Sequence, residues 1–325
     1  MIPDREYVFA SSFIKAAEGK GTPAERLSRF REASDRDSLR STAAEAFKVG
    51  AENVYDEAIN SAVELVKSAL PDFSAVVPLL YKYDCANIKT AVKCKIRGIS
   101  PEGLLFSCGT LPASAVVNAA ESSDFSKIPG ELGAAAAEAL KTYQKTGEVR
   151  SIDLILDRAC FADMKKAAEE SGCELTGRIV RTRADGTNLL TAMRISAEGL
   201  SPDTAASLFE RAFVPGGNMP LSSFCSVENG VEDAEKISAR AAGDTASVIK
   251  TAAKCPDADA AAKVIDEEII SLCMKYRFKP FGPEVAVSLI VVREAEITNC
   301  RIIEAAIGTE NREDTVRERL RAAYV

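Results

Sequence analysis

Three elements in this chain pair a carboxylate with an amide at a spacing that could do chemistry. Asp84 and Asn87, Asp185 and Asn188, and Glu296 and Asn299 each stand three residues apart, which puts both side chains on one face of a helix. Three such faces could build a polar ligand or ion site. The preferred alternative is structural: the acid caps a helix while the amide ties it to a neighbouring backbone, because buried polar groups at repeated positions usually satisfy helix ends. The chain has no His, so imidazole bases, His–metal sites and Ser-His-Asp triads are excluded. Its nine cysteines form no Cys-x-x-Cys pair, and scattered thiols make a poor zinc cluster. They are expected to be small buried residues of a reduced protein. Gly172-Cys173-Glu174-Leu175-Thr176-Gly177 has the glycine spacing of a phosphate loop, but Arg178 and Ile179 stand where Lys and Ser/Thr are needed. No cofactor is expected. Lys89, Lys93, Lys95 and Arg97 form a local basic run, either a docking face for an acidic partner or one wet helix side.

The elements that must position these residues read as helices. Ile152, Ile155, Leu156, Ala159 and Cys160 make one apolar stripe with charges between them. Segments 44–47, 134–139, 205–213 and 258–270 are rich in strong helix formers. Turns are expected at 19–23, 70–72, 126–130, 215–217 and 280–283. A last helix is expected after an N-cap at Thr309, with Glu310, Glu313 and Asp314 at its start and Arg317, Arg319 and Arg321 at its end. The fold class is all-α.

The same elements repeat. Asn87 to Asn188 is a shift of 101 residues, and Ser100 to Ser201 is the same 101 without a gap. Asn299 lies a further 111 residues on. Each copy ends in a glycine, Gly98, Gly199 or Gly308, and the first two restart as Ser-Pro-acid, Ser100-Pro101-Glu102 and Ser201-Pro202-Asp203. That triplet suits an N-cap, a proline at the first helical position and an acid facing the helix dipole. Three helical repeats are therefore expected, at 1–122, 123–222 and 223–325, with Lys89, Arg194 and Arg301 as further members of the repeat motif.

A net charge of −7 removes most of the electrostatic drive for nucleic-acid binding. The longest aliphatic stretch, residues 285–292, is far short of a membrane span and is interrupted by Ser288. Met1-Ile2-Pro3-Asp4-Arg5-Glu6 lacks the cationic start and apolar core of a signal peptide. A role at a membrane would need another protein to hold the chain there.

In order and spacing, the sequence resembles the C subunit of the V/A-type ATP synthases, called the d subunit in eukaryotic vacuolar ATPases. The likeness runs from Tyr7-Val8-Phe9-Ala10, Ile14-Lys15-Ala16, Glu18 and Glu25-Arg26-Leu27 through Tyr83-Asp84, Asn87-Ile88-Lys89 and Lys95. It continues in Ile152-Asp153, Leu156-Asp157, Asp185, Asn188 and Arg194, and closes with Phe281-Gly282-Pro283-Glu284, Glu296-Ile297, Asn299 and Arg301. Leu190 departs from it, standing where a Lys is expected.

The resemblance implies a three-fold pseudosymmetric helical funnel without a catalytic site. It would sit on the cytoplasmic face of the membrane proteolipid rotor ring and receive the central stalk, made of the D and F subunits. Two other readings stay open from the residues alone: a cytosolic enzyme using a carboxylate or thiolate such as Asp84 or Cys108, and a helical-repeat scaffold unrelated to a rotary ATPase.

Overall fold

The computed structural model describes residues 3–17, 22–226, 230–276 and 278–323. Met1 and Ile2 of the N-terminal segment, Glu18, and positions 19–21 of the expected first turn lie outside the described residues. The described residues form fifteen α-helices and one two-stranded antiparallel pair, and the fold is all-α. By packing, the chain divides into two compact units, residues 77–262 and the two flanking segments 1–76 and 263–325.

The first flank contributes α1 (Val8–Ala17), α2 (Pro23–Glu32), α3 (Arg36–Phe47) and α4 (Val54–Ala69). Thr22 and Glu25 cap α2 reciprocally ahead of Pro23, and Asp35 caps α3 by accepting the Ser38 N–H at 2.8 Å.

The middle unit holds α5 (Val77–Arg97), α6 (Ala113–Ser122), α7 (Gly130–Thr146), α8 (Arg150–Ser171), α9 (Glu174–Ala197) and α10 (Pro202–Ala212). The short strands β1 (Cys225–Ser226) and β2 (Gly230–Val231) follow, then α11 (Ala234–Ala239) and α12 (Ala246–Ala252). Its core joins Ile88 and Val92 of α5 to Leu132, Ala136 and Leu140 of α7 and Ile152, Leu156 and Cys160 of α8. The stripe on α8 is thus buried as its periodicity requires, with Ile155 left half-covered. Residues 172–177 are the α8–α9 turn and the start of α9, with Gly172 closing α8 at φ 64°.

The chain returns to the first unit along α13 (Ala258–Lys275), α14 (Pro283–Ala306) and α15 (Arg312–Arg319). The aliphatic run 285–292 is buried in α14, which packs on α1, α2, α3 and α4.

Gly98, Gly199 and Gly308 have φ of 67°, 65° and 87° just past the ends of α5, α9 and α14, the left-handed closure expected of them. Ser201 caps α10 ahead of Pro202, accepting the Thr204 N–H. Ser100 does not start a helix. Its hydroxyl accepts the Glu102 N–H in a turn, Gly103 follows at φ 75°, and no helix begins before Ala113. Side chains of α5 hold residues 106–111 and prevent a helix from propagating there. Thr309 is likewise no N-cap: its hydroxyl donates back to the Ala306 carbonyl at 2.8 Å, and α15 starts three residues later. Glu313 and Asp314 still open α15, and Arg317 and Arg319 close it.

Candidate functional site

Each repeated asparagine grips one downstream residue by both of its backbone polar groups. The Asn87 amide donates to the Phe106 carbonyl at 3.0 Å and accepts the Phe106 N–H at 2.8 Å. Asn188 does the same to Val214, at 2.9 Å in both directions. Asn299 does the same to Arg321, at 3.2 and 2.9 Å. An amide is the side chain that offers one donor group and one acceptor in peptide-like geometry, so it pairs with a peptide as a neighbouring strand would. A long helix, α5, α9 or α14, is thereby tied to the segment that leaves it.

The aspartates one turn earlier anchor the same returning segments. Asp84 accepts the Thr110 and Leu111 N–H groups at about 3.0 Å and the Thr110 hydroxyl at 2.5 Å. Asp185 accepts the Asn218 and Met219 N–H groups at 3.0 and 3.1 Å and the Thr245 hydroxyl at 2.5 Å. A glycine precedes each N–H pair, and a Cβ on Gly109 or Gly217 would strike the carboxylate. Asp163 repeats the arrangement, holding the Glu131 and Leu132 N–H groups at 2.9 and 3.1 Å at the head of α7, with Gly130 against its carboxylate.

The acid of the third element works differently. Glu296 accepts from the Arg26 guanidinium at 2.6 Å, with both side chains buried.

Burial pushes the Asp84 and Asp185 carboxyls above their ordinary value, and the donated hydrogen bonds pull them part of the way back. Asp84, Asp185 and Asn188 are 0% exposed, so no ligand touches them without displacing the loops they hold. Cys108, the other nucleophile considered, is buried as well. Eight of the nine cysteines are buried thiols and Cys255 is half-covered. Among the described residues no group of three or more Cys, Asp or Glu side chains is placed to hold a metal ion.

The basic run is engaged internally. Lys89 bonds Asp157 and Lys93 bonds Asp153, each at 2.6 Å, while Lys95 reaches the Ala120 and Glu121 carbonyls and the Ser123 hydroxyl at the end of α6. Burial works against the Lys89 charge, but Cys85, Asp157 and Asp153 around it outweigh that and raise its pKa. Of the four, only Arg97 is exposed. Arg194 is exposed too, and the exposed Arg301 lies 5.4 Å from the Tyr55 ring centre. The structure therefore gathers Asp84 with Asn87 and Asp185 with Asn188 into paired anchors, and leaves Arg194 and Arg301 outside any such cluster.

Sequence reasoning missed Asp163, Gly109 and Thr245, and placed Gly217 only as part of a turn. The parallel between Gly109-Thr110-Leu111 and Gly217-Asn218-Met219 was the available signal. It is obscured because the first glycine follows its aspartate by 25 residues and the second by 32.

In this framework polar groups fasten long helices to the loops that follow them, and the chain is similar to known proteins along most of its length. The model of the ATP synthase (C/AC39) subunit family matches residues 37–319. The chain belongs to that family. A curated relative, the C subunit of the A-type ATP synthase of Methanocaldococcus jannaschii, is 25% identical over 272 residues, which cover 78% of this chain and 67% of the relative. As a member of the C/AC39 family the chain is part of a membrane-associated ATP synthase. No described helix is long and apolar enough to cross a membrane.

Proposed function

We propose that this C/AC39 family member is the non-catalytic rotor adapter of a V/A-type ATP synthase. In this reading it sits on the cytoplasmic face of the membrane proteolipid ring, receives the D and F subunits of the central stalk, and passes torque between them for ATP-coupled H+ or Na+ transport. The observation that carries the reading is the thrice-repeated asparagine bracket on α5, α9 and α14. A part under torque needs its connecting segments fastened to its long helices, since an unfastened loop yields before the helices do. Three copies of one bracket also support three repeats, 1–122, 123–222 and 223–325, and a pseudosymmetric funnel is part of the same proposal. The carboxylates best placed for chemistry are engaged with backbone N–H groups, which favours a mechanical role over a catalytic one.

Reconstitution tests this. A complex assembled without the chain should hydrolyse ATP with ion pumping lost, and adding the chain back should restore coupling. Full coupling in its absence would refute the adapter role, and turnover by the isolated chain would refute the non-catalytic one.

A further inference from the structure

Within the middle unit an open groove of about 630 Å3 runs along α8, which packs against both α7 and α10. On the α7 side its edge is Glu131, Ala134, Ala135 and Glu138. The spacing is i, i+3, i+4, i+7, that of a single helix face. Along α8 the groove takes Leu154, Ile155, Arg158 and Ala162, again one helical stripe. Two helices thus turn matched stripes toward the open groove, the surface pattern on which helices pack. Alanines keep the floor low enough for a helix backbone to approach, and Leu154 and Ile155 are only half-covered.

The charges around the groove are divided. Glu131 and Glu138 are exposed on the α7 edge, two turns and about 10 Å apart along the axis. Neither is ion-paired with a described residue, and nor is the exposed Arg158 on α8. Arg211, on the α10 side, is paired with Glu148 at 2.8 Å. The acidic edge disfavours an anionic lipid surface, which attracts cations. It suits a partner bearing cations at the same two-turn spacing.

We propose that this groove docks an amphipathic α-helix of a partner protein, about three turns long, which lays a stripe of small and apolar residues on α8, sets two cations one heptad apart against Glu131 and Glu138, and places an anion by Arg158. The inference rests on membership of an ATP synthase assembly and not on the adapter role.

Two measurements test it. In a Cys255→Ala background, maleimide labelling of Ala134→Cys is followed in the isolated full chain and in the purified membrane complex. Labelling should be at least tenfold slower in the complex, and Glu131→Lys with Glu138→Lys should abolish most of that protection. Equal labelling in the two states overturns the proposal. Protection that survives both charge reversals also overturns it, pointing instead to a second copy or to lipid. Should the charge-reversed chain fail to assemble, the second measurement decides. The isolated full chain is titrated with a fluorescent helical 14-residue peptide carrying an Ala/Leu stripe, two Lys at i and i+7, and Glu on the other edge. It should bind at least tenfold more tightly than a peptide with those charges exchanged, and equal affinities would reject the charge-matched helix.

Discussion

The Asn188 side chain and the Val214 backbone exchange two hydrogen bonds, 2.9 Å each way, with both residues removed from water. Asn188→Ala would strand a buried N–H and a buried C=O, each costing about 1–3 kcal/mol. Asn299→Ala breaks the same pairing with Arg321, but Arg321 is only half-buried and water can replace the lost partner. Urea midpoints should therefore fall further for Asn188→Ala than for Asn299→Ala. Equal losses would mean that the bracket contributes nothing specific to burial.

Gly217 and Asp185 should behave as one unit. A Cβ at position 217 meets the carboxylate that holds the Asn218 and Met219 N–H groups, so Gly217→Ala destabilises by displacing that anchor. Once Asp185→Ala has removed the carboxyl group, the same alanine meets only the backbone N of residue 185, at 3.1 Å. A double-mutant cycle should show a coupling of about 1–3 kcal/mol, as expected for residues in direct contact. Additive losses would rule out the steric explanation.

These contacts show how far sequence reading reaches. The helices, their glycine closures and the polar character of Asn87, Asn188 and Asn299 follow from local spacing, and local spacing is present in the chain. Their partners are not local: Phe106, Val214 and Arg321 lie 19, 26 and 22 residues downstream, with no shared residue type and no constant offset. The same limit explains the other departures. Ser100-Pro101-Glu102 carries a sound helix-start signal, yet the Asn87 and Asp84 anchors fix residues 106–111 outside a helix. Lys89 and Lys93 read as a free basic patch because their neutralising partners, Asp157 and Asp153, stand 68 and 60 residues away. Asp163 stands in no copy of the acid-x-x-Asn motif, so nothing in the chain marked it before the head of α7 was seen against it.

Two ion pairs of equal length should differ sharply in worth. Arg26 and Glu296 meet at 2.6 Å with side chains 10% and 8% exposed, whereas Arg29 and Glu45 meet at 2.6 Å with 48% and 72% exposed. Removing one partner of a buried pair leaves a desolvated charge, so Arg26→Met should cost about 3 kcal/mol. It falls at the low end of that class because the Arg293 Nε remains 3.4 Å from Glu296. Water and salt screen the exposed pair, and Arg29→Met should cost under about 1 kcal/mol. Denaturant midpoints of the two variants would decide, and similar losses would show that distance rather than burial governs.

The aspartates of the middle unit should titrate in opposite directions. Burial raises the Asp84 and Asp185 carboxyls above the ordinary 3.8, against the pull of the hydrogen bonds from Thr110, Leu111, Asn218, Met219 and Thr245. The Asp244 carboxyl is held below 3.8, chiefly by its hydrogen bond from Arg181, although it shares Asn218 with Asp185. A raised carboxyl binds its proton more tightly in the folded chain than in the unfolded one. The stability that Asp84 and Asp185 confer is thus fully present below about pH 3.8 and is lost as pH rises through their folded values. Asp244 has the reverse sign: its stability is present above about pH 3.8 and is lost as pH falls through its lowered value. Carbon-13 NMR of the side-chain carboxyls should give midpoints above 3.8 for Asp84 and Asp185 and below it for Asp244. Midpoints below 3.8 for Asp84 and Asp185 would mean that the N–H groups of their loops outweigh burial, and the pH dependence assigned to these two anchors would then change sign.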